Sequence, residues 1–420
     1  MTNLNDLILN AKDSFDLTEA ADQGSLMQLT EALLNMEDVT LAEIQARARE
    51  EESPLEFKIA AKLVESRQFM LGNSKKLHIG VVFGMWGEQN RLRPKNADNP
   101  HGEDSLRVKL EQLDWVTQDS NVSWTLYPVD DGCPYDSGKL AQEIAAAHPL
   151  GDHVQVLFLA ETLPAESGPL QKLASANDSR KAGAVILGAM QAIADGADAV
   201  IYTDADNSVH LGQIGLLLKP YIKERVKVVL GNRKHPDAVL VKEGARWGIG
   251  IKALRHMQRM VGHAIFSRNI LDTQAAFKLY DSELLSQIIA EPTVFDFSFD
   301  TDWIAGAISL NERLVRVPFA FIDSAAESAS AKQMPMTTWE TLLLGLLKSM
   351  RRYNLLETEA SQQMAKVLDE EIHDYRDLEL LIDHLPAELE KAGEKEYGDP
   401  AVMSPAALQL WIQQRKREEE

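Results

Sequence analysis

Between Leu77 and Thr203, short apolar runs rich in branched residues alternate with segments whose apolar residues recur every three or four positions. That alternation constrains the fold more than any other feature of the chain. Leu77-His78-Ile79-Gly80-Val81-Val82-Phe83 suits a strand buried on both faces. The pattern then predicts a helix near Ser105 to Val116, a strand near Ser123 to Val129, a helix near Gly138 to Ala147 and a strand near His153 to Leu159. A helix from about Lys181 to Asp195 and a strand at Ala199 to Thr203 follow. Repeated βαβ units imply an α/β fold with a mostly parallel central sheet covered by helices. Ligands of such sheets sit beyond the carboxyl ends of the strands. That rule selects Asp130-Asp131 after one strand and Asp204-Ala205-Asp206 after another.

The flanks read differently. From about Leu7 to Met70 the spacing is helical with a break at Pro54, and Gly72-Asn73-Ser74 punctuates its end. After Pro335 it is helical again, with Thr337 and Glu340 at capping-box spacing and a charged tail from Gln413 expected to fray. The expected division is therefore a helical N-terminal extension at 1–75, a catalytic domain at 76–335 and a helical C-terminal region at 336–420. A net charge of −21 opposes broad binding to nucleic acid or anionic lipid, so a phosphate-bearing ligand needs a local basic group or a metal. Cys133 is the only cysteine, which excludes an internal disulfide and a thiolate metal cluster. The N-terminus lacks the pattern of a signal peptide, and no apolar run approaches the roughly 20 residues of a spanning helix. A cytoplasmic protein is expected. Trp339 to Leu347, with Lys348, Arg351 and Arg352 beside it, is read as a helix packed on the protein rather than on a membrane.

Two carboxylates at the end of a buried strand can share a hard divalent cation with a diphosphate. Mg²⁺ or Mn²⁺ suits oxygen ligands of this kind and would neutralise charge on a departing diphosphate. Taken alone, an Asp-x-Asp such as Asp204-Ala205-Asp206 is more often a solvated turn or a helix cap than a metal site.

Its context resembles family 2 glycosyltransferases of the GT-A fold, the fold of nucleotide-diphospho-sugar transferases, and in particular the branch of dolichyl- and polyprenyl-phosphate sugar synthases. The resemblance covers roughly Lys76 to Ser330. Ile79-Gly80-Val81-Val82-Phe83 and Glu88-Gln89-Asn90 look like the family's first strand and the turn after it. Val129-Asp130-Asp131-Gly132 through Ser137 resembles its second acidic segment, and Arg180-Lys181-Ala182-Gly183 its Lys-Gly helix start. Gly231-Asn232-Arg233, Asp272-Thr273-Gln274-Ala275-Ala276-Phe277-Lys278 and Phe299-Asp300-Thr301-Asp302-Trp303 with Arg316-Val317-Pro318 follow in family order.

The resemblance implies a metal-dependent transfer from a UDP- or GDP-sugar to an acceptor, with inversion. Glu88, Asp130, Asp131, Lys181 and Asp204 would bind the nucleotide sugar, and Asp204 and Asp206 the metal. Asp300 ranks first as general base, ahead of Asp302, with Asp272 the third catalytic carboxylate. Asp300 stands before Asn311, where the family's acidic helix ends in a left-handed turn that Asn tolerates. Arg233 and Arg246 would hold an acceptor phosphate. Gly250 and Ser208 depart from the lipid-phosphate pattern and put that acceptor in question. His210 and His235 are read as surface or loop residues rather than further ligands. Donor, acceptor and any homo-oligomer stay open. The rival readings are a nucleotidyltransferase that makes an activated sugar and a degenerate, non-enzymatic GT-A binding protein.

Overall fold

The computed structural model describes residues 3–16, 18–179, 181–242, 248–323 and 335–419. The chain forms two compact units. The first comprises Met1–Glu243, Ala275–Ala290 and Arg313–Glu327; the second comprises Gly244–Gln274, Glu291–Glu312 and Ser328–Glu420.

The first unit begins with α1 (Leu4–Asn10), α2 (Ala20–Leu34), α3 (Leu41–Ala48) and α4 (Leu55–Leu71). It continues through β1 (Leu77–Met85), α5 (Ser105–Thr117), β2 (Val122–Asp130), α6 (Ser137–Ala147), β3 (Leu157–Phe158), α7 (Ala182–Ala194) and β4 (Ala199–Thr203). Next come α8 (Ile214–Lys223), β5 (Val228–Gly231) and β6 (Val239–Val241). The chain passes through α9 (Ile251–Val261) and α10 (His263–Phe266) of the second unit, then returns for β7 (Phe277–Asp281) and α11 (Ser282–Ile288). After α12 (Phe299–Ser309) in the second unit, β8 (Leu314–Val317) and β9 (Ala320–Ile322) complete the first. The second unit closes with α13 (Pro335–Arg352), α14 (Glu359–Glu371), α15 (Tyr375–Ile382), α16 (Ala387–Glu390) and α17 (Pro405–Glu419).

Among the described residues, seven strands form one sheet in the order β3-β2-β1-β4-β7-β5-β8. All neighbours are parallel except β7, which runs antiparallel to both β4 and β5. The mostly parallel α/β sheet expected from the sequence is therefore present, with helices before and after it. Ile79, Val81, Phe83, Ile201, Leu279 and Val229 form its buried centre together with Leu106, Leu110 and Leu113 of α5. Gly80 lets α7 approach closely, because a Cβ there would stand 2.5 Å from the Cβ of Ala192.

The N-terminal helices share the compact unit of the sheet. Their core joins Leu26, Phe57, Leu63 and Val64 to Ala320 and Ile322 of β9, which pairs with β6 in a second, two-stranded sheet. Ser66 of α4 accepts a hydrogen bond from the Gly215 N–H of α8 at 2.9 Å. Arg49 grips the Asp237 carboxylate with two N–H groups, at 3.0 and 3.1 Å. Pro54 caps α4, at the break its sequence position predicts.

Three local expectations are corrected. The strand predicted at His153 to Leu159 contracts to Leu157–Phe158 plus an isolated bridge from Val154 to Leu126, because single 3₁₀ turns occupy both of its ends. The capping box predicted at Thr337 does not start a helix there. Helix α13 begins at Pro335, a residue suited to a first helical turn, and Thr337 lies inside it. The C-terminal tail is not frayed over its described length: α17 runs to Glu419, and Lys416 pairs with Asp377 at 3.1 Å. No helix among the described residues is long and apolar enough to cross a membrane.

Candidate active site

In the first unit β1 is flanked by β2 on one side and β4 on the other, so the strand order reverses between β1 and β4. A crevice at the carboxyl ends of such a pair is where doubly wound sheets bind ligands. The loops after β1, β2 and β4 bring Glu88, Asp130-Asp131 and Asp204-Ala205-Asp206 to that edge.

Lys181 ties two of these loops together. Its backbone N–H donates to Asp131 Oδ2 at 2.7 Å, and its ammonium donates to Asp204 Oδ1 while lying 5.4 Å from the centre of the Tyr202 ring. The residue holds φ at +83°, a region that costs a side-chain-bearing residue about 1–3 kcal/mol, so the surrounding contacts must hold it there. Burial would raise the Asp204 pKa, but the Lys181 ammonium and then Arg233 outweigh it and hold the carboxyl below its ordinary value. Asp204 thus stays ionised at neutral pH, with its side chain 32% exposed.

Asp130 has a different task. Both of its oxygens accept backbone N–H groups, from Cys133 and Gly138, each at 2.7 Å. This fastens the loop after β2 to the first turn of α6. Asp131 is 7% exposed, and burial pushes its carboxyl up to about 6. Its Oδ1 is buried without a hydrogen-bond partner.

The acidic turn after β4 rests on a buried ionic network. Arg91 donates to Glu88 Oε2 at 2.9 Å and to Glu103 Oε1 at 3.0 Å. Glu103 in turn accepts the Asn207 N–H at 2.8 Å, and its carbonyl accepts the Asn207 side-chain amide at 2.9 Å. From α5, the fully buried Lys109 donates to the carbonyl of Asp206 and lies 5.7 Å from the centre of the Phe83 ring. Burial opposes the charges of Arg91 and Lys109 alike. Around Arg91 the carboxylates of Glu88, Asp206 and Glu103 win and raise its pKa, whereas for Lys109 burial wins and lowers it. Burial likewise raises the pKa of Glu88, against the pull of Arg91.

Asp204 and Asp206 each have one oxygen engaged, by Lys181 and by the Ser208 N–H respectively, the latter at 3.0 Å. No group of three His, Cys, Asp or Glu side chains able to hold a metal occurs among the described residues. Two carboxylates without a third protein ligand fit a cation that completes its shell from phosphate and water, as Mg²⁺ usually does. They do not fit an all-protein metal cage.

Arg233 lies with its guanidinium 4.9 Å from the centre of the Phe321 ring, and its charge helps to hold Asp204 ionised. Arg246 lies outside the described residues. His210 lies in the loop after β4, as expected of a loop residue, but not at the surface. It is buried, its Nδ1 accepts the Gly212 N–H at 3.0 Å, and burial drives its pKa down to about 3. His235 occupies a loop, where its Nδ1 accepts the Asp237 N–H at 3.0 Å.

Within the second unit, Asp272 is 7% and Asp300 5% exposed. The segment carrying Asp272 is held to α12 by Gln274, whose amide donates to Thr301 Oγ1 at 3.1 Å. Asp302 is 1% exposed and accepts from Arg352 of α13 at 2.7 Å, an ion pair that fastens the two helices together. Helix α12 ends at Ser309, and Asn311 just beyond it holds φ at +59°, the left-handed turn its sequence position predicts.

The sequence reading missed Arg91, Glu103 and Lys109. A signal for Lys109 exists: it stands three residues after Leu106 and one before Leu110, on the apolar face of α5 where a solvated lysine has no place.

No protein-family model matches the chain, and no curated protein matches it. Among solved structures, the chain is similar to mannosyl-3-phosphoglycerate synthase from Rubrobacter xylanophilus at 14% identity and a TM-score of 0.46, covering 70% of this chain and 80% of that one. It is also similar to glucosyl-3-phosphoglycerate synthase from Mycobacterium tuberculosis in complex with phosphoglyceric acid, at 14% identity and a TM-score of 0.44, covering 75% and 85%. The same enzyme with Mn²⁺, uridine diphosphate and glucosyl-3-phosphoglycerate gives 14% identity and a TM-score of 0.44, covering 78% and 88%.

Proposed function

We propose that the chain is a metal-dependent glycosyltransferase of the GT-A fold that transfers a sugar from a UDP- or GDP-sugar to an acceptor, with inversion. The observation that carries this reading is the bridge made by Lys181 between Asp131 and Asp204 at the reversal of strand order. It supplies an ammonium beside a carboxylate pair, which is what a doubly charged phosphate and a divalent cation both need in a protein of net charge −21.

In this reading Asp204 and Asp206 hold Mg²⁺ or Mn²⁺, which when bound stabilises the negative charge of the leaving diphosphate. Lys181 neutralises further phosphate charge, exchanging its contact with Asp204 for one with the diphosphate. Arg233 suits a phosphate on either substrate, since a guanidinium can bind such a group with two parallel N–H donors. In the second unit, Asp300 is the proposed base toward an acceptor hydroxyl, with Asp272 as a second carboxylate. Asp302 is committed to Arg352, which suits a packing role more than proton transfer.

The test is a thermal-shift screen of UDP-, GDP- and ADP-sugars with and without Mn²⁺, repeated on Asp206→Asn. Stabilisation by a UDP- or GDP-sugar that needs Mn²⁺ and is lost in the variant supports the reading, because a ligand that binds only the folded state raises its stability. Metal-independent binding, or binding unchanged in Asp206→Asn, refutes the metal assignment. No stabilisation by any sugar nucleotide refutes the function.

A further inference from the structure

At the reversal of strand order, the Asp204 carboxylate already carries a cation supplied by the chain. The Lys181 ammonium donates to its Oδ1 and lies 5.4 Å from the centre of the Tyr202 ring, whose hydroxyl reaches the same oxygen at 3.5 Å. Both side chains meet solvent, that of Lys181 being 24% and that of Asp204 32% exposed. Arg233 and the fully buried Lys109 add charge of the same sign to the field at Asp204. A divalent cation shared by Asp204 and Asp206 therefore meets the ammonium in its own place or as a like charge beside it. Either way, metal and ammonium compete for one carboxylate.

The backbone holds the ammonium at that point. Lys181 immediately precedes α7, and its N–H donates to Asp131 Oδ2 at 2.7 Å. Its stem runs beside β1 at Gly84, where an added Cβ would stand 3.8 Å from Lys181 Cγ. The φ of +83° is a conformation that glycine adopts freely and other residues adopt only under constraint. Glycine would supply the N–H for Asp131 as well. What lysine adds at this position is the charge on Asp204. A diphosphate brought to the same edge offers the ammonium acceptors that carry more charge than one carboxylate.

We propose that Lys181 is an internal counter-cation that couples the metal to the diphosphate: it occupies Asp204 against a bare divalent cation and gives that carboxylate up when a diphosphate draws the ammonium away. The proposal rests on the glycosyltransferase reading and adds to it how the site tells metal that arrives with a diphosphate from free metal. Each partner then favours binding of the other by one and the same factor. In a chain of net charge −21, which attracts cations broadly, such a guard keeps the acidic pair from filling with metal that brings no donor.

Calorimetric titration of wild type, Lys181→Met, Lys181→Gly and Lys181→Arg tests this, first with Mn²⁺ alone and then with UDP and GDP in the absence and presence of Mn²⁺. Lys181→Met keeps the stem without the charge. Lys181→Gly also relieves the backbone and retains the N–H for Asp131, so it reports on the charge even where the Met variant folds poorly. Both should bind Mn²⁺ alone about tenfold more tightly than wild type, the lower end of what one charge-assisted hydrogen bond contributes, and Lys181→Arg should bind it as wild type does. The factor by which Mn²⁺ tightens UDP or GDP binding should fall about tenfold in the Met and Gly variants. Mn²⁺ affinity unchanged or weakened in both, while Mn²⁺ still tightens nucleotide binding to wild type, overturns the counter-cation and leaves the glycosyltransferase reading intact. Tighter Mn²⁺ binding with an undiminished factor overturns the coupling, since the ammonium would then only repel the metal. A wild type whose binding of UDP and GDP owes nothing to Mn²⁺ overturns both.

Discussion

Glu103→Ala removes the centre of the network under the acidic turn. The wild-type carboxylate is fully buried and accepts from Arg91 Nε at 3.0 Å and from the Asn207 N–H at 2.8 Å. Breaking a buried ion pair from one side costs about 3–5 kcal/mol, and a buried N–H left without an acceptor costs about 1–3 kcal/mol. Arg91 keeps Glu88 at 2.9 Å, so the first contribution falls at its lower end. The expected loss is therefore about 4–6 kcal/mol for Ala. Glu103→Gln retains the size and an acceptor oxygen but loses the charge, and should lose about half as much. Urea unfolding followed by both circular dichroism and tryptophan fluorescence measures the difference. Asn207 adjoins Asp206, so the loosened turn should also weaken Mn²⁺-dependent nucleotide binding in Glu103→Gln, at a urea concentration where that variant is still folded. The reasoning would be falsified if Glu103→Ala unfolded within 1 kcal/mol of wild type, roughly the size of a surface change.

The other predictions concern pH. The folded pKa of Asp131 is raised to about 6 from 3.8, so between these values the folded state binds more protons and stability contributed by this group falls as pH rises. Asp131→Asn keeps an acceptor for the Lys181 N–H and does not titrate. Its stability relative to wild type should climb from pH 4 to pH 6.5 by about 2 kcal/mol and then level off, whereas a flat difference would refute the burial of an ionisable Asp131. His210 acts in the opposite sense. Its folded pKa is lowered to about 3 from 6.5, so its contribution is complete above pH 6.5 and is lost as pH falls toward 3. Relative to wild type, His210→Asn, which retains an acceptor for the Gly212 N–H, should gain about 2 kcal/mol between pH 6.5 and 5. Equal pH profiles would show that the imidazole takes up its proton inside the fold.

Periodicity alone determined β1, β2 and β4 of the seven-stranded sheet, but not β5, β7 or β8. A run such as Ala199 to Thr203, branched and apolar on both faces, has no stable place except between helices, and the strand occupies those five residues. The same logic located the edge that carries Asp131 and Asp204, because the carboxyl ends of parallel strands are fixed once strand and direction are known. Asn311 was legible for the related reason that a left-handed backbone restricts the residue type.

What the sequence could not decide were the contacts between residues distant along the chain. Asp130 and Asp131 are adjacent and chemically identical, yet one satisfies the loop backbone with both oxygens while the other keeps a buried oxygen without a partner. Asp300 and Asp302 share a helix turn, but only packing against α13 commits Asp302 to Arg352. Lys181 reads as a helix-start residue; its bond to Asp131, 50 positions earlier, and to Asp204, 23 later, exists only once β2, α7 and β4 are packed. A side chain's role depends on which charges and dipoles surround it and on how much water is excluded. Both quantities are set by the tertiary fold.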